Sequence, residues 1–242
     1  MRLAFLSLYI FVFVAAITAV KAQDFSPDEY ETSKGKLTIS FIGHGTLMFN
    51  FDGKVIHVDP WSKLADYSAL PKADIILITH SHPDHYDTAA IKKISKENTT
   101  LVVNSEIFES TRKGELMRNG DAKVFQGIRI EAVLAYNTTA DRSKFHPKGR
   151  DNGYVINFGN RRVYVAGDTE NIPEMAFLKN IYIAFLPMNQ PYTMVPEQIV
   201  DAVDKFKPKI LYPYHYGDSD LEALKTLMAT RTGTKLIIKP MK

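Results

Sequence analysis

The apolar positions of this chain change period along its length, and the changes divide it into elements. Residues 3–20 are an almost unbroken apolar run, interrupted only by Ser7, Tyr9 and Thr18. Residues 23–35 are polar, which predicts a loose lead-in with no apolar face of its own. Over residues 36–41 apolar and polar side chains alternate, and a second strand stretch follows over residues 46–51. A period of two is the mark of a half-buried strand. Asp52-Gly53 is a hairpin turn into a third strand over residues 54–59. Asp74-Ile75-Ile76-Leu77-Ile78 is a short continuous apolar run, which predicts a strand covered on both faces. Residues 88–96 predict a helix, 101–103 a strand and 128–133 an alternating strand. Gly159-Asn160 joins residues 154–158 to 162–166 as a second hairpin. Ile199, Val200, Val203 and Phe206 share one helical face, as do Leu221, Leu224, Leu227 and Met228, with Ser219-x-x-Glu222 as a capping box. Hairpins followed by strands alternating with helices predict an α/β chain of two mixed sheets packed together, with helices outside.

The front of the chain reads as an address. Met1-Arg2, the apolar run and Val20-Lys21-Ala22 predict a secretory signal peptide over residues 1–22, cleaved after Ala22. The rival is an uncleaved anchor, because the run approaches the length of a membrane span. The small residue at its end and the lack of flanking charge beyond Lys21 favour cleavage, and with it export to a periplasm or medium without a stable membrane anchor. Cleavage removes Arg2 and Lys21 and no acid, so the net charge falls from +3 to +1. That is too neutral for a nucleic-acid footprint. The chain has no cysteine, so it forms no disulfide and its core must hold it together. After the lead-in, residues 36–242 are long enough for one domain with a large core.

The chemistry is concentrated after the doubly covered strand. Three of the seven histidines stand in Thr79-His80-Ser81-His82-Pro83-Asp84-His85-Tyr86-Asp87, together with two carboxylates. Imidazole and carboxylate are the usual ligands of zinc, manganese and iron. His80 and His82 are two apart, so in extended backbone they point the same way and can grip one ion. Pro83 forces a turn and Asp87 suits a helix N-cap, which leaves Asp84 and His85 able to face a second ion.

His80-x-His82-x-Asp84-His85 resembles the signature of the metallo-β-lactamase fold superfamily of hydrolases, and further family motifs follow in order over nearly all of the remaining chain. Gly43-His44-Gly45 and Ala166-Gly167-Asp168-Thr169 make it similar to the branch that holds ascorbate-phosphate lactonase and the N-acylphosphatidylethanolamine phospholipase D. The resemblance implies a four-layer αββα sandwich with metals at one edge of the sheets. It implies that Asp168 bridges two ions and that His215 completes the second shell with Asp84 and His85. Asp59 is implied to orient a ligand histidine, and His44 to act at the rim on substrate or on a ligand. His57, in mid-strand, reads as structural. Relatives place a third histidine of the first site where this chain has Asn137. Either the loop folds back so that His146 supplies the ligand, or the first shell is weakened and Asn137 serves beside it.

Two divalent ions, zinc first and manganese or iron as alternatives, imply a bridging hydroxide that attacks a carbonyl carbon or phosphorus, with Asp84 carrying a proton to the leaving group. The expected substrate is a small, anionic ester, lactone or phosphodiester, met by Lys148, Arg150, Tyr136, Tyr192 and Tyr214 in the surrounding loops. The alternatives are a β-lactam or thioester hydrolase, a mononuclear redox enzyme, and a non-catalytic, metal-stabilised envelope binding protein.

Overall fold

The structure, a computed structural model, describes residues 25–242. The expected signal peptide lies outside the described residues. The first sheet consists of β1 (Asp28–Thr32), β2 (Gly35–Gly43), β3 (Thr46–Phe51), β4 (Lys54–Val58), β5 (Ile75–Leu77), β6 (Thr100–Val103) and β7 (Glu115–Leu116), in that spatial order. The second consists of β8 (Ala122–Phe125), β9 (Ile128–Ala135), β10 (Asp151–Phe158), β11 (Arg161–Val165), β12 (Ile181–Pro187), β13 (Ile210–Tyr214) and β14 (Lys235–Leu236), again in order. In the first sheet the pairs up to β3–β4 are antiparallel and those from β4–β5 onward are parallel. The second repeats the scheme, antiparallel to β10–β11 and parallel from β11–β12. Ligands of open α/β sheets gather at the carboxyl ends of the strands. Here those ends carry Asp59 after β4, the histidine cluster after β5, Asp168 after β11 and His215 after β13.

The layering follows from the sequence of β5. Ile75 and Leu77 join the core between the sheets, together with Leu37, Phe49, Val155 and Phe185. Ile76 and Ile78 point the other way, into a cluster with Ala90, Ile91 and Ile94 of α1 (Thr88–Ile94) and Ile107 of α2 (Ser105–Thr111). Both faces of the strand are therefore covered, and each fully buried isoleucine contributes about 1.5–3 kcal/mol. Beyond the second sheet lie α3 (Pro196–Phe206) and α4 (Leu221–Met228), which bury Ile199, Val203, Phe206, Leu224 and Met228. The result is two mixed sheets between helical layers, an αββα sandwich. No helix among the described residues is long and apolar enough to cross a membrane.

Three local details bear on the expectations. Asp87 caps α1, accepting from Ala89 N at 2.8 Å and Ala90 N at 3.2 Å. The polar lead-in is not loose throughout: its residues 28–32 form β1, paired antiparallel with β2. It is an edge strand, where charged side chains are at home. Its Tyr30 packs on the main core, and its Asp28 accepts from Tyr212 Oη at 2.5 Å across the sandwich. The capping box at α4 does not form either. Asp220 is the N-cap and accepts from Ala223 N at 2.9 Å, while the Ser219 hydroxyl donates to the Met188 carbonyl.

Candidate metal centre

The strand ends bring seven of the expected ligands into two sets that meet at Asp168. His80, His82 and His146 form one set, and Asp84, His85 and His215 the other, with His44 beside the second. In the first, His80 Nε2 lies 3.1 Å from His82 Nδ1, and His146 Nε2 lies 3.5 Å from Asp168 Oδ2. In the second, Asp84 Oδ2 stands 3.6 Å from His85 Nε2 and 3.5 Å from His215 Nε2. Asp168 turns Oδ1 to His85 at 3.7 Å and Oδ2 to His215 at 3.6 Å and His80 at 4.0 Å. Donors about 2.1 Å from one tetrahedral ion stand about 3.4 Å apart, so these spacings suit ligand shells. Buried His85 Nε2, His215 Nε2 and Asp168 Oδ1 have no hydrogen-bond partner. An orphaned buried polar atom costs about 1–3 kcal/mol, and three aimed at one centre fit a cation.

The surrounding hydrogen bonds prepare the ring nitrogens. Asp59 is wholly buried and accepts from Thr79 N at 2.8 Å, from Thr79 Oγ1 at 2.6 Å and from His85 Nδ1 at 2.8 Å. The Thr79 hydroxyl donates its one proton to Asp59, so towards His80 Nδ1, 2.9 Å away, it can only accept. Asp151 Oδ2 accepts from His146 Nδ1 at 3.1 Å, and Arg150 holds Asp151 from the other side at 2.7 Å. All three imidazoles are thereby fixed by their Nδ1–H, with Nε2 facing the centre. The parts played by Asp151 and Thr79 escaped the sequence reading: Asp151 stands in no ligand motif, and Thr79, first in the histidine stretch, is tied to Asp59 only by the fold.

The electrostatics ask for positive charge. Burial disfavours the charged form of His85, but Asp168, Asp59 and Asp84 outweigh it and push its pKa up to about 10. Burial would raise the Asp84 carboxyl, but the nearby His215 ring, the hydrogen bond from His44 and the charge on His85 hold it well below the usual carboxylate range. Asp168 is lowered too: burial opposes this, and His215, His85 and His146 prevail. His80 is held well below its usual value by burial and then by His85 and His146, so it is neutral, as a ligand must be.

Asn137 is not among the candidate ligands. Its backbone N–H donates to His146 O at 2.9 Å, and its amide donates to Tyr192 O at 2.7 Å and Arg142 O at 3.2 Å. The loop from β9 thus doubles back and delivers His146. Glu170, two residues beyond Asp168, fastens that loop by accepting from Thr138 N, Thr139 N and both threonine hydroxyls at 2.8–2.9 Å.

A cleft of about 310 Å³ opens onto the two sets, lined by His44, His82, Asp84, Phe145, His146, Asp168, Asn189, Tyr192 and His215. His44 donates from Nε2 to Asp84 Oδ2 at 3.0 Å, and its ring lies 3.6 Å from that of His215. The expectation of cations and phenols around the cleft needs correcting. Lys148 pairs with Glu174 at 2.7 Å and sits over the Tyr136 ring, whose hydroxyl also donates to Glu174, at 2.8 Å. Arg150 is taken up by Asp151, and Tyr214 is buried in the core. Of the five residues expected, Tyr192 alone lines the cleft.

A model of the beta-lactamase superfamily domain matches residues 38–215. A UPF0173 metal-dependent hydrolase of Thermoplasma acidophilum is 34% identical over 221 residues, 83% of this chain and 95% of its own length. Another, from Staphylothermus marinus, is 33% identical over 224 residues, 83% of this chain and 94% of its own. Among solved structures, a Parabacteroides distasonis protein described as a metal-dependent hydrolase superposes with a TM-score of 0.88 at 49% identity, covering 90% of this chain and 100% of its own.

Proposed function

Because the chain belongs to the metallo-β-lactamase superfamily and is a metal-dependent hydrolase, we propose that it holds two divalent ions and cleaves a small ester, lactone or phosphodiester after export. The observation that carries the reading is the position of Asp168, whose two oxygens reach both ligand sets. His80, His82 and His146 would hold one ion, Asp84, His85 and His215 the other, and Asp168 both. A nitrogen and oxygen shell without thiolate suits zinc, and admits manganese or iron. Bound there, the ions would supply acidified water as nucleophile and positive charge for a developing oxyanion.

The remaining steps fall to the chain itself. Asp84 Oδ2 stands at the cleft, 3.0 Å from His44 Nε2, and as an ionised carboxylate it can take a proton from the nucleophilic water and pass it to a departing oxygen, with the His44 N–H holding it in place. Asn189, whose side-chain amide lies 3.4 Å from His215 Nδ1, steadies that ring and also faces the cleft. Asp59 and Asp151 keep their histidines aimed throughout. The test is a hydrolysis panel of lactones, phosphodiesters, β-lactams and thioesters on metal-loaded protein, with Asp84→Ala as control. Turnover of lactones or phosphodiesters that Asp84→Ala abolishes is the expected result. Faster turnover of β-lactams or thioesters than of every lactone and phosphodiester would overturn the substrate class.

A further inference from the structure

Three residues lining the cleft belong to none of the candidate ligand groups: Asn189, Phe145 and Tyr192. The last two rings meet edge to face, with centroids 5.0 Å apart. Tyr192 is 44% exposed, a large apolar side chain left at the mouth of a site rather than packed away. The pair is held in place from behind. Asn137 N donates to the carbonyl of His146, next to Phe145, at 2.9 Å, and Asn137 Nδ2 donates to the carbonyl of Tyr192 at 2.7 Å. Tyr192 N in turn donates to Asn189 O at 2.9 Å. The asparagine at the position of the expected third histidine therefore ties together the two loops that carry the rings. A wall fixed in this way costs little ordering when a ligand docks against it.

Among the described residues, no lysine or arginine lines the cleft. Lys148 and Arg150 are bound to Glu174 and Asp151, and Lys144, 5.1 Å from the Phe145 ring centroid, lies outside the lining. A polyanion would find no guanidinium or ammonium partner there. Aromatic rings gain from meeting another ring edge to face or offset-stacked, beyond the area they bury. At about 310 Å³ the cleft is at the small end of the range for small-molecule sites.

We propose that Phe145 and Tyr192 form a subsite for a planar apolar group beside the scissile bond, so that the substrate is a neutral or singly charged ester carrying an aryl group. This rests on the hydrolase reading above and narrows it. The test compares binding of two singly charged product analogues, phenylacetate and acetate, to the metal-loaded full-length protein by calorimetry. Phenylacetate should bind at least tenfold more tightly. Tyr192→Ala and Phe145→Leu should each lower that ratio several-fold, and Tyr192→Phe should preserve it, since the ring and not the hydroxyl is the contact. Equal affinities in the unaltered protein, or a ratio unmoved by both ring-removing variants, would overturn the subsite. Binding needs no turnover, so the two readings separate. An aryl preference without hydrolysis of any panel ester keeps the subsite and removes the ester reading. Ester hydrolysis without the preference does the reverse.

Discussion

His85 donates its Nδ1–H to Asp59 Oδ2 at 2.8 Å, and neither side chain has any exposed surface. Through the Thr79 hydroxyl the same carboxylate also fixes His80, so one buried aspartate aims a ligand of each set. Asp59→Asn keeps the volume but presents one carbonyl oxygen and one NH2 to three donors, so at least one of them is left facing a donor. Such outer partners are worth about 10–100-fold in metal affinity. We expect a loss of that size for both ions in competition with a chelator, with the fold retained by circular dichroism. An unchanged affinity would show that the rings need no such partner.

Gly45 packs directly against two ligand rings of the centre. A Cβ built there would lie 2.9 Å from His85 Cε1 and 3.5 Å from His215 Cδ2. Both rings belong to the second set, and His85 is packed against Asp59 and cannot retreat. Gly45→Ala should therefore cost about one equivalent of metal in elemental analysis while the first set keeps its own. Two full equivalents in the variant would refute this.

How much of this site could be read beforehand depends on how far apart in sequence its parts are. His80, His82, Asp84 and His85 were legible because one turn presents them after a strand whose four apolar residues already announced two covered faces. His146 was legible only as one of two choices, since its approach depends on Glu170 grasping Thr138 and Thr139 from about thirty positions away. Lys148 was misread for the same reason: Glu174, its partner, is 26 positions on, and no local pattern couples them. The edge strand β1 was missed because its charged residues hide a pairing that one tyrosine and one aspartate secure across the sandwich.

Acid should weaken the fold through a histidine outside the site. His57 is buried in β4, where it donates from Nε2 to Pro71 O at 3.1 Å, and burial pushes its pKa down to about 4. Unfolded, it titrates near its ordinary value of about 6.5. Between those values the unfolded chain binds the extra proton, so stability is full above pH 6.5 and is lost as pH falls toward 4. The loss is about 3 kcal/mol at most. His57→Gln keeps a donor without the titration, and denaturant melts over this range should show a shallower pH slope. An identical slope would mean that other groups carry it.

Export is expected from the charged start, the apolar run and Ala22. Mass spectrometry of protein from the cell envelope or medium should find a mature chain beginning at Gln23. A chain still starting with Met1-Arg2 would contradict cleavage.

The sharpest test of the centre is His146→Ala. His146 Nε2 lies 3.5 Å from Asp168 Oδ2, and its Nδ1–H is spoken for by Asp151, so the ring has no other task at the centre than to present that nitrogen. Removing it leaves His80, His82 and a share of Asp168 to the first ion, while Asp84, His85 and His215 stand untouched. Elemental analysis of protein purified without chelator should approach two equivalents in the unaltered chain and about one in the variant. Asn137→Ala should act differently. It frees Tyr192 O and Arg142 O from their donor and loosens the loop, so it should weaken the first ion without abolishing it. Because ligand histidines must be neutral, retained metal in both variants should fall as pH is lowered. Two equivalents in His146→Ala, or the larger loss in Asn137→Ala, would return the third ligand of the first set to the strand end.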